Sequence, residues 1–258
     1  MTISHYISLM DTMARMALKA EANRYYLGYL WWVLEPLLWV GVFYFVFYVL
    51  LGSGAPGFLL FLAVGKLFFI WFSKTVNYAG NSLTNNAGLI GRMALPKTVF
   101  PLAVVVECGY RQMAVLGVLL VILLINGVSP QLHWLWLIPI IAVQLLLIVL
   151  CSCVAALLVA FKRDFALLIN LGMIFLLFVS GIFWDIRDIV SERAMDMLLI
   201  WNPMAFLLHC YRQVLLWQEL PNLTHLIALG VLLSVLLATV VAFMVRYSAY
   251  IARRVVTQ

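Results

Sequence analysis

Few side chains in this chain could do chemistry, and most of them stand in apolar runs, where a charge is costly unless paired or wetted. Glu107 and Arg111 are four residues apart and can pair on one helix face. Lys66 lies near the middle of an apolar run, where an ammonium either pairs across helices or lines a pathway. His209 and Arg212 follow Asn202-Pro203 and fall one turn apart. They suit a gate, a phosphate, an acidic sugar or a protein partner, and equally the polar side of an interfacial helix. Asp185 and Asp188 could act as a metal or acid pair, but a solvated first helical turn favours negative charge without any ligand. Trp39, Phe43 and Phe47, and likewise Tyr44 and Tyr48, recur every four residues as stripes on neighbouring helix faces. Sugar C–H faces stack on such rings and tyrosine hydroxyls bond sugar oxygens; helix packing and lipid contact are the alternative use.

Reaction machinery of the familiar kinds is missing. The sequence has no GxxxxGK[ST] phosphate loop, no HExxH, no GxSxG and no metal-spaced Cys/His cluster. The four cysteines, Cys108, Cys151, Cys153 and Cys210, sit in apolar segments and read as small packing residues. No residue reads as catalytic or metal-binding, so the expectation is a non-enzyme that holds no cofactor of its own.

These side chains need a membrane scaffold to position them. The 258 residues are 66% hydrophobic and only 10% charged, against about a quarter charged in soluble domains. The expected fold is an all-α polytopic membrane protein in a single transmembrane unit, with no cleavable signal peptide. Six runs are long enough to span, at about 30–51, 58–76, 99–125, 134–161, 165–183 and 226–245. Tight turns are expected at Gly52–Gly57 and Asn126–Pro130. The net charge of +6 does not point to nucleic acid, because the basic residues cluster in short loops and termini. Eleven of the sixteen Lys and Arg fall on the side that carries both ends. The positive-inside rule then places both termini in the cytoplasm.

Three further segments are too patterned to be plain linkers. Residues 5–23 form an amphipathic helix with Arg15 and Lys19 on its polar side, expected to lie at the interface. It runs into Leu27-Gly28-Tyr29-Leu30-Trp31 and Leu34-Glu35-Pro36, where tryptophans, a carboxylate and a proline mark entry into the first span. Glu35 either complements the helix dipole or docks the N-terminal helix or a partner. Residues 81–92 form a short helix with Asn85, Asn86, Leu89 and Arg92, a solvated loop helix or a docking surface. Residues 184–220 carry two helical patterns split at Asn202-Pro203, an N-cap followed by a good first helical residue. The second of these is expected to dip into the membrane or lie on it.

Taken in order, these motifs resemble the membrane subunit of ABC-2 type polysaccharide exporters, the capsule and O-antigen permeases. The resemblance rests on Leu27-Gly28-Tyr29-Leu30-Trp31, Leu34-Glu35-Pro36, Asn85-Asn86 with Leu89-Ile90 and Pro96, and Asn202-Pro203 with Tyr211-Arg212, and it covers essentially the whole chain. It implies a homodimeric channel in the bacterial inner membrane that moves lipid-linked polysaccharide outward. It further implies two copies of a separate cytoplasmic ATPase, which binds ATP and magnesium, and export proteins in the periplasm or outer membrane. Residues 81–92 then resemble the coupling helix that rests on that ATPase. Arg15, Lys19, Glu35 and Pro36 fall at the interfacial gate, and Trp39, Phe43, Tyr44, Tyr48 and Lys66 are channel-lining candidates. Asn202, Pro203, His209 and Arg212 are candidates for a periplasmic gate or partner contact. Other readings are an ABC-2 permease for another lipid, a drug or a teichoic-acid-like polymer, a membrane-embedded transferase, and a structural membrane subunit.

Overall fold

The computed structural model describes residues 3–50, 52, 57–93, 95–188 and 191–256, and all regular structure among them is helical. Helix α1 (Ile3–Arg24) lies across α6 (Val99–Ile125). Ala14, Leu18 and Ala22, four residues apart in turn, form its buried stripe and let the two backbones approach. Tyr6 shares a hydrogen bond with Thr98 (2.5 Å), and the Tyr110 hydroxyl donates to Asp11 (2.5 Å). That hydroxyl first, and Arg15 second, hold the Asp11 carboxyl below its usual range.

A tight turn at Gly28–Leu30 leads into α2 (Trp31–Tyr44), which widens to a π-helix over Phe45–Leu50. Pro36 is buried inside α2, in its second turn, where its missing N–H leaves the Trp32 carbonyl without an intrahelical partner. Helix α3 (Phe58–Gly80) is followed by the short α4 (Ser82–Asn85) and α5 (Ala87–Arg92). After α6, a turn at Leu132–Trp136 enters α7 (Leu137–Phe161), and α8 is Asp164–Val179. Helices α9 (Glu192–Trp201) and α10 (Pro203–Arg212) follow, α10 continuing as a π-helix over Gln213–Trp217. The chain ends in α11 (Leu223–Arg246) and α12 (Ser248–Val256).

Helix α3 is the axis of the bundle: it packs on α7, α6, α2 and α10, and most of its residues are buried. The core at the opposite end from α10 is separate. There Leu83, Ile90, Phe100 and Met244 close over Ile251 and Val255 of α12. By contrast α8 has no buried residue, and only Pro36 and Val40 of α2 are buried. These outer helices face lipid or another protein with apolar surface, as a helix in a bilayer must.

Among the described residues, five stretches are long and apolar enough to cross a membrane: Gly28–Leu50, Phe58–Gly80, Val99–Ile125, Leu132–Phe161 and Leu223–Arg246. The sequence suggested six. The run at 165–183 forms α8, whose 16 residues reach about 24 Å, short of the ~30 Å hydrocarbon layer. It stops because Gly181 turns the chain at φ 68° and its neighbour Ser180 is held by Asn202. The segment read as one helix over 81–92 is two short ones, hinged at Asn86, whose Nδ2 donates to the Ser82 carbonyl (2.8 Å). Leu51, Ser53–Pro56 in the expected first turn, and positions 189 and 190 in the 184–220 stretch lie outside the described residues.

Candidate functional site

Three groups of polar side chains are strung along the bundle. At the end that bears both termini, Arg111 on α6 sits between two carboxylates. It pairs with Glu21 of α1 (2.5 Å) and with Glu107 one turn back on its own helix. Its guanidinium carbon also lies 5.6 Å from the Trp32 ring and 6.0 Å from that of Tyr78. Arg111 thus ties the N-terminal helix to α6 and, through Trp32, to the start of α2. Glu35 takes a different partner from the N-terminal helix: its carboxylate meets Lys74 of α3 at 2.6 Å. The pair pins α2 to α3 beside the proline. Arg15 and Lys19 point away from the packed side of α1 and are exposed.

A polar cavity of about 570 Å³ opens next to this group, lined by Glu21, Arg24, Tyr25, Asn85, Asn86 and Arg111 among others. Asn85, Leu89 and Arg92 are exposed on α4 and α5, and Asn86 is half-buried. The α4–α5 segment is therefore presented outward on a base made by α12, which the sequence reading missed. Ile251 and Val255, four residues apart with Arg253 and Arg254 on another face, were the signal available for that helix.

Midway along the bundle, Lys66 of α3 is buried and faces the rings of α2. Its ammonium is 4.5 Å from the centroid of Phe43 and 5.8 Å from that of Trp39. Among the described residues no carboxylate lies within ion-pair distance of Lys66, so aromatic faces hold the charge. Trp39 stacks on Phe43 (6.0 Å) and Tyr44 on Tyr48 (4.9 Å), so the two stripes seen in the sequence are real surfaces. Phe183 joins them from the α8–α9 connection, 4.7 Å from Phe43 and 5.0 Å from Phe47. Trp39 and Tyr48 remain exposed, whereas Phe43 and Tyr44 are half-covered. The site brings together Lys66, Trp39 and Phe43; Tyr44 and Tyr48 form a neighbouring face.

At the far end α10 is packed into the bundle against α3 and α7. Asn202 caps it, accepting from the backbone N–H groups of Met204 and Ala205 (both 3.1 Å), while its Nδ2 donates to the Ser180 hydroxyl (3.1 Å). Pro203 takes the first helical position, where its missing N–H leaves nothing unsatisfied. The next polar link is Tyr211, stacked on Phe68 and donating to the Gln144 side chain (2.6 Å). Gln144 in turn donates to the Phe68 carbonyl (3.0 Å). Neither Gln144 nor Ser180 stood out in the sequence, because a lone amide or hydroxyl in an apolar run carries no pattern.

Arg212 is where the structure departs most from the expectation of a surface donor. Its side chain is only 1% exposed, and its guanidinium donates to the carbonyls of Gly181 (2.6 Å), Ile182 (3.2 Å) and Phe61 (3.4 Å). The long-range packing of α10 against α3 puts it there, and sequence position does not reveal that burial. His209, one turn back, is half-buried and 5.5 Å from the Trp217 ring. Nearby, Arg187 lies 3.4 Å over the face of Trp217 and clasps Asp185. Burial works to raise the Asp185 carboxyl, but the hydrogen bonds and charge of Arg187 outweigh it and hold the group below its usual range.

No protein-family model matches the chain. Curated relatives do. It is 28% identical over 219 residues to an O-antigen export system permease protein RfbA of Klebsiella pneumoniae, covering 84% of this chain and 82% of that protein. It is also 28% identical over 232 residues to an O-antigen export system permease protein RfbA of Myxococcus xanthus, covering 90% of this chain and 89% of the relative. The resemblance read from the motifs is borne out by these relatives, and the apolar helices fit a permease of that type.

Proposed function

We propose that this chain is the channel-forming membrane subunit of an exporter that moves lipid-linked polysaccharide, O antigen or capsule, from the cytoplasm across the inner membrane. The observation that carries the reading is the similarity to O-antigen export permeases over 84% and 90% of the chain. A polytopic helical bundle without hydrolytic motifs agrees with a transport subunit rather than an enzyme. ATP and magnesium are then held by two copies of a separate ATPase. The outward-facing α4–α5 segment, with Asn85, Asn86, Leu89 and Arg92, is the surface on which that motor rests. Both termini and this segment share the positively charged end, which the positive-inside rule assigns to the cytoplasm.

Two copies of the chain form the channel in this reading. The partly open face of α2 is suited to line it, because Trp39 and Tyr48 present rings to which sugar C–H faces can stack. Lys66 stands behind that wall, buried against Phe43 and Trp39, and can meet an acidic sugar or a phosphate only where those rings part. The α9–α10 hairpin sits at the outer end as a gate or a contact for periplasmic and outer-membrane export proteins.

The test is copurification of the full chain with a co-expressed ABC ATPase from the same genome, followed by ATPase assays with and without candidate polyprenyl-linked glycans. Glycolipid-stimulated hydrolysis, together with loss of surface polysaccharide when the gene is deleted, supports the proposal. An unchanged surface polysaccharide, or a chain that never associates with an ATPase, sinks it.

A further inference from the structure

A second cavity, of about 840 Å³, lies at the termini-bearing end between the α5–α6 connection and the α11–α12 junction. Its wall brings three basic residues together: Arg92 from the end of α5, Lys97 from the connection, and Arg246 from the end of α11. No carboxylate is among the described residues that line it. None of the three basic groups has an acid within ion-pair distance among those residues. A cavity lined by three basic residues and no acid carries a positive potential that favours an anion.

The depth of the cavity narrows the choice of anion. Lys97 stands two residues before α6 begins its crossing, and Arg246 is the last residue of the α11 span. Both charges are therefore at the level where a span leaves hydrocarbon for headgroups. Ile90, Leu95, Met244 and Val245 supply an apolar part of the wall, and Thr98 and Ser248 add hydroxyls to it. A ligand that fits is negative at its head and greasy below. We propose that this cavity binds the phosphate headgroup of an anionic phospholipid of the adjacent leaflet, such as phosphatidylglycerol or cardiolipin, with its acyl chains against α11. Basic pockets between transmembrane helices are a recurrent solution for such headgroups. The consequence is structural coupling: the lipid bridges α5, on the outward-presented segment, to the end of the last span. This inference goes beyond polysaccharide export and does not depend on it.

The experiment is native mass spectrometry of the full chain purified in detergent and reconstituted with phosphatidylethanolamine alone, or with added phosphatidylglycerol or cardiolipin. Wild type should retain the anionic lipid and not phosphatidylethanolamine. Lys97→Gln and Arg246→Gln should each weaken retention about fivefold, since each basic residue contributes about that factor near an anionic surface. Arg92 is left intact because it also faces the proposed motor. Arg163→Gln removes one basic charge outside the cavity and should retain lipid like wild type. Equal retention by Lys97→Gln, Arg246→Gln and wild type overturns the proposal, and so does an equal loss in Arg163→Gln, which would mark a diffuse surface effect. Inorganic phosphate in excess distinguishes the source. Undisturbed lipid retention supports a headgroup held together with its chains, and displacement by phosphate alone overturns the lipid assignment. Melting of each variant in zwitterionic detergent, expected at the wild-type temperature, separates lost binding from lost folding.

Discussion

The guanidinium carbon of Arg212 rests 3.4 Å from the centre of the Phe61 ring, and its nitrogens reach the carbonyls of Gly181 and Ile182 beyond it. One side chain thereby joins α10 to α3 and to the turn that ends α8. The fit depends on Gly65, where a Cβ would collide with the guanidinium. An arginine serves here because its planar fork can stack and donate in several directions at once, which an ammonium cannot.

Arg212→Ala should therefore destabilise the protein by roughly 3 kcal/mol or more, since several buried carbonyls lose a charged donor together. Arg212→Lys should fail to restore stability, and Gly65→Ala should reproduce much of the loss by displacing the same group. Melting in detergent, read by tryptophan fluorescence, checks all three. Full rescue by lysine would show that charge alone, without the fork, holds the hairpin.

The Asn202 cap can be dissected further. Asn202→Ala removes both the cap of α10 and the bond to Ser180, and should cost about 1 kcal/mol for the cap with a further loss for the bond. Asn202→Asp keeps the acceptor that caps the helix but loses the amide donor toward Ser180. It should fall between wild type and alanine in thermal stability. If aspartate and alanine melt together, the cap contributes nothing here and the Ser180 contact carries the effect.

How much of this was legible beforehand depends on the range of the interaction that decides each feature. The apolar run at 99–125 and α6 coincide because a span is set by local composition. The pairing of Glu107 with Arg111 and the aromatic stripes of α2 were readable for the same reason: helical spacing alone brings these side chains together. The burial of Arg212, the Lys74 partner of Glu35 and the Gln144–Tyr211 link join residues far apart in sequence, and no local pattern encodes them. The short α8 illustrates the same limit. Its end is fixed by Asn202, 22 residues later, reaching back to Ser180.

Lys66 separates stability from transport. A desolvated cation–π contact returns about 2 kcal/mol or more, which at most offsets the cost of about 3 kcal/mol for a lysine at the membrane centre. Lys66→Met should therefore leave the melting temperature unchanged or raise it. If the charge serves the pathway, the same variant should lower export of polysaccharide severalfold, and Lys66→Arg should retain more export than methionine. Wild-type export by Lys66→Met removes Lys66 from the channel wall.

The outward face of α4 and α5 makes the sharpest prediction for coupling. Asn85, Leu89 and Arg92 are exposed, and Ile90 and Leu83 anchor the segment over α12. Changes at the exposed positions should spare folding, because they remove no buried contact. Arg92→Glu and a bulky replacement at Asn85 should yield a chain that melts normally and still inserts. They should nevertheless uncouple the ATPase, so that hydrolysis continues while surface polysaccharide falls. Disturbing the base instead should act differently. Ile251→Asp or Val255→Asp places an unpaired charge in the small core beneath α5 and should weaken both motor docking and thermal stability. The two classes are told apart by measuring ATPase copurification and melting side by side. Normal coupling in all the exposed-face variants would remove α4–α5 as the docking surface and shift attention to Arg15 and Lys19 on α1.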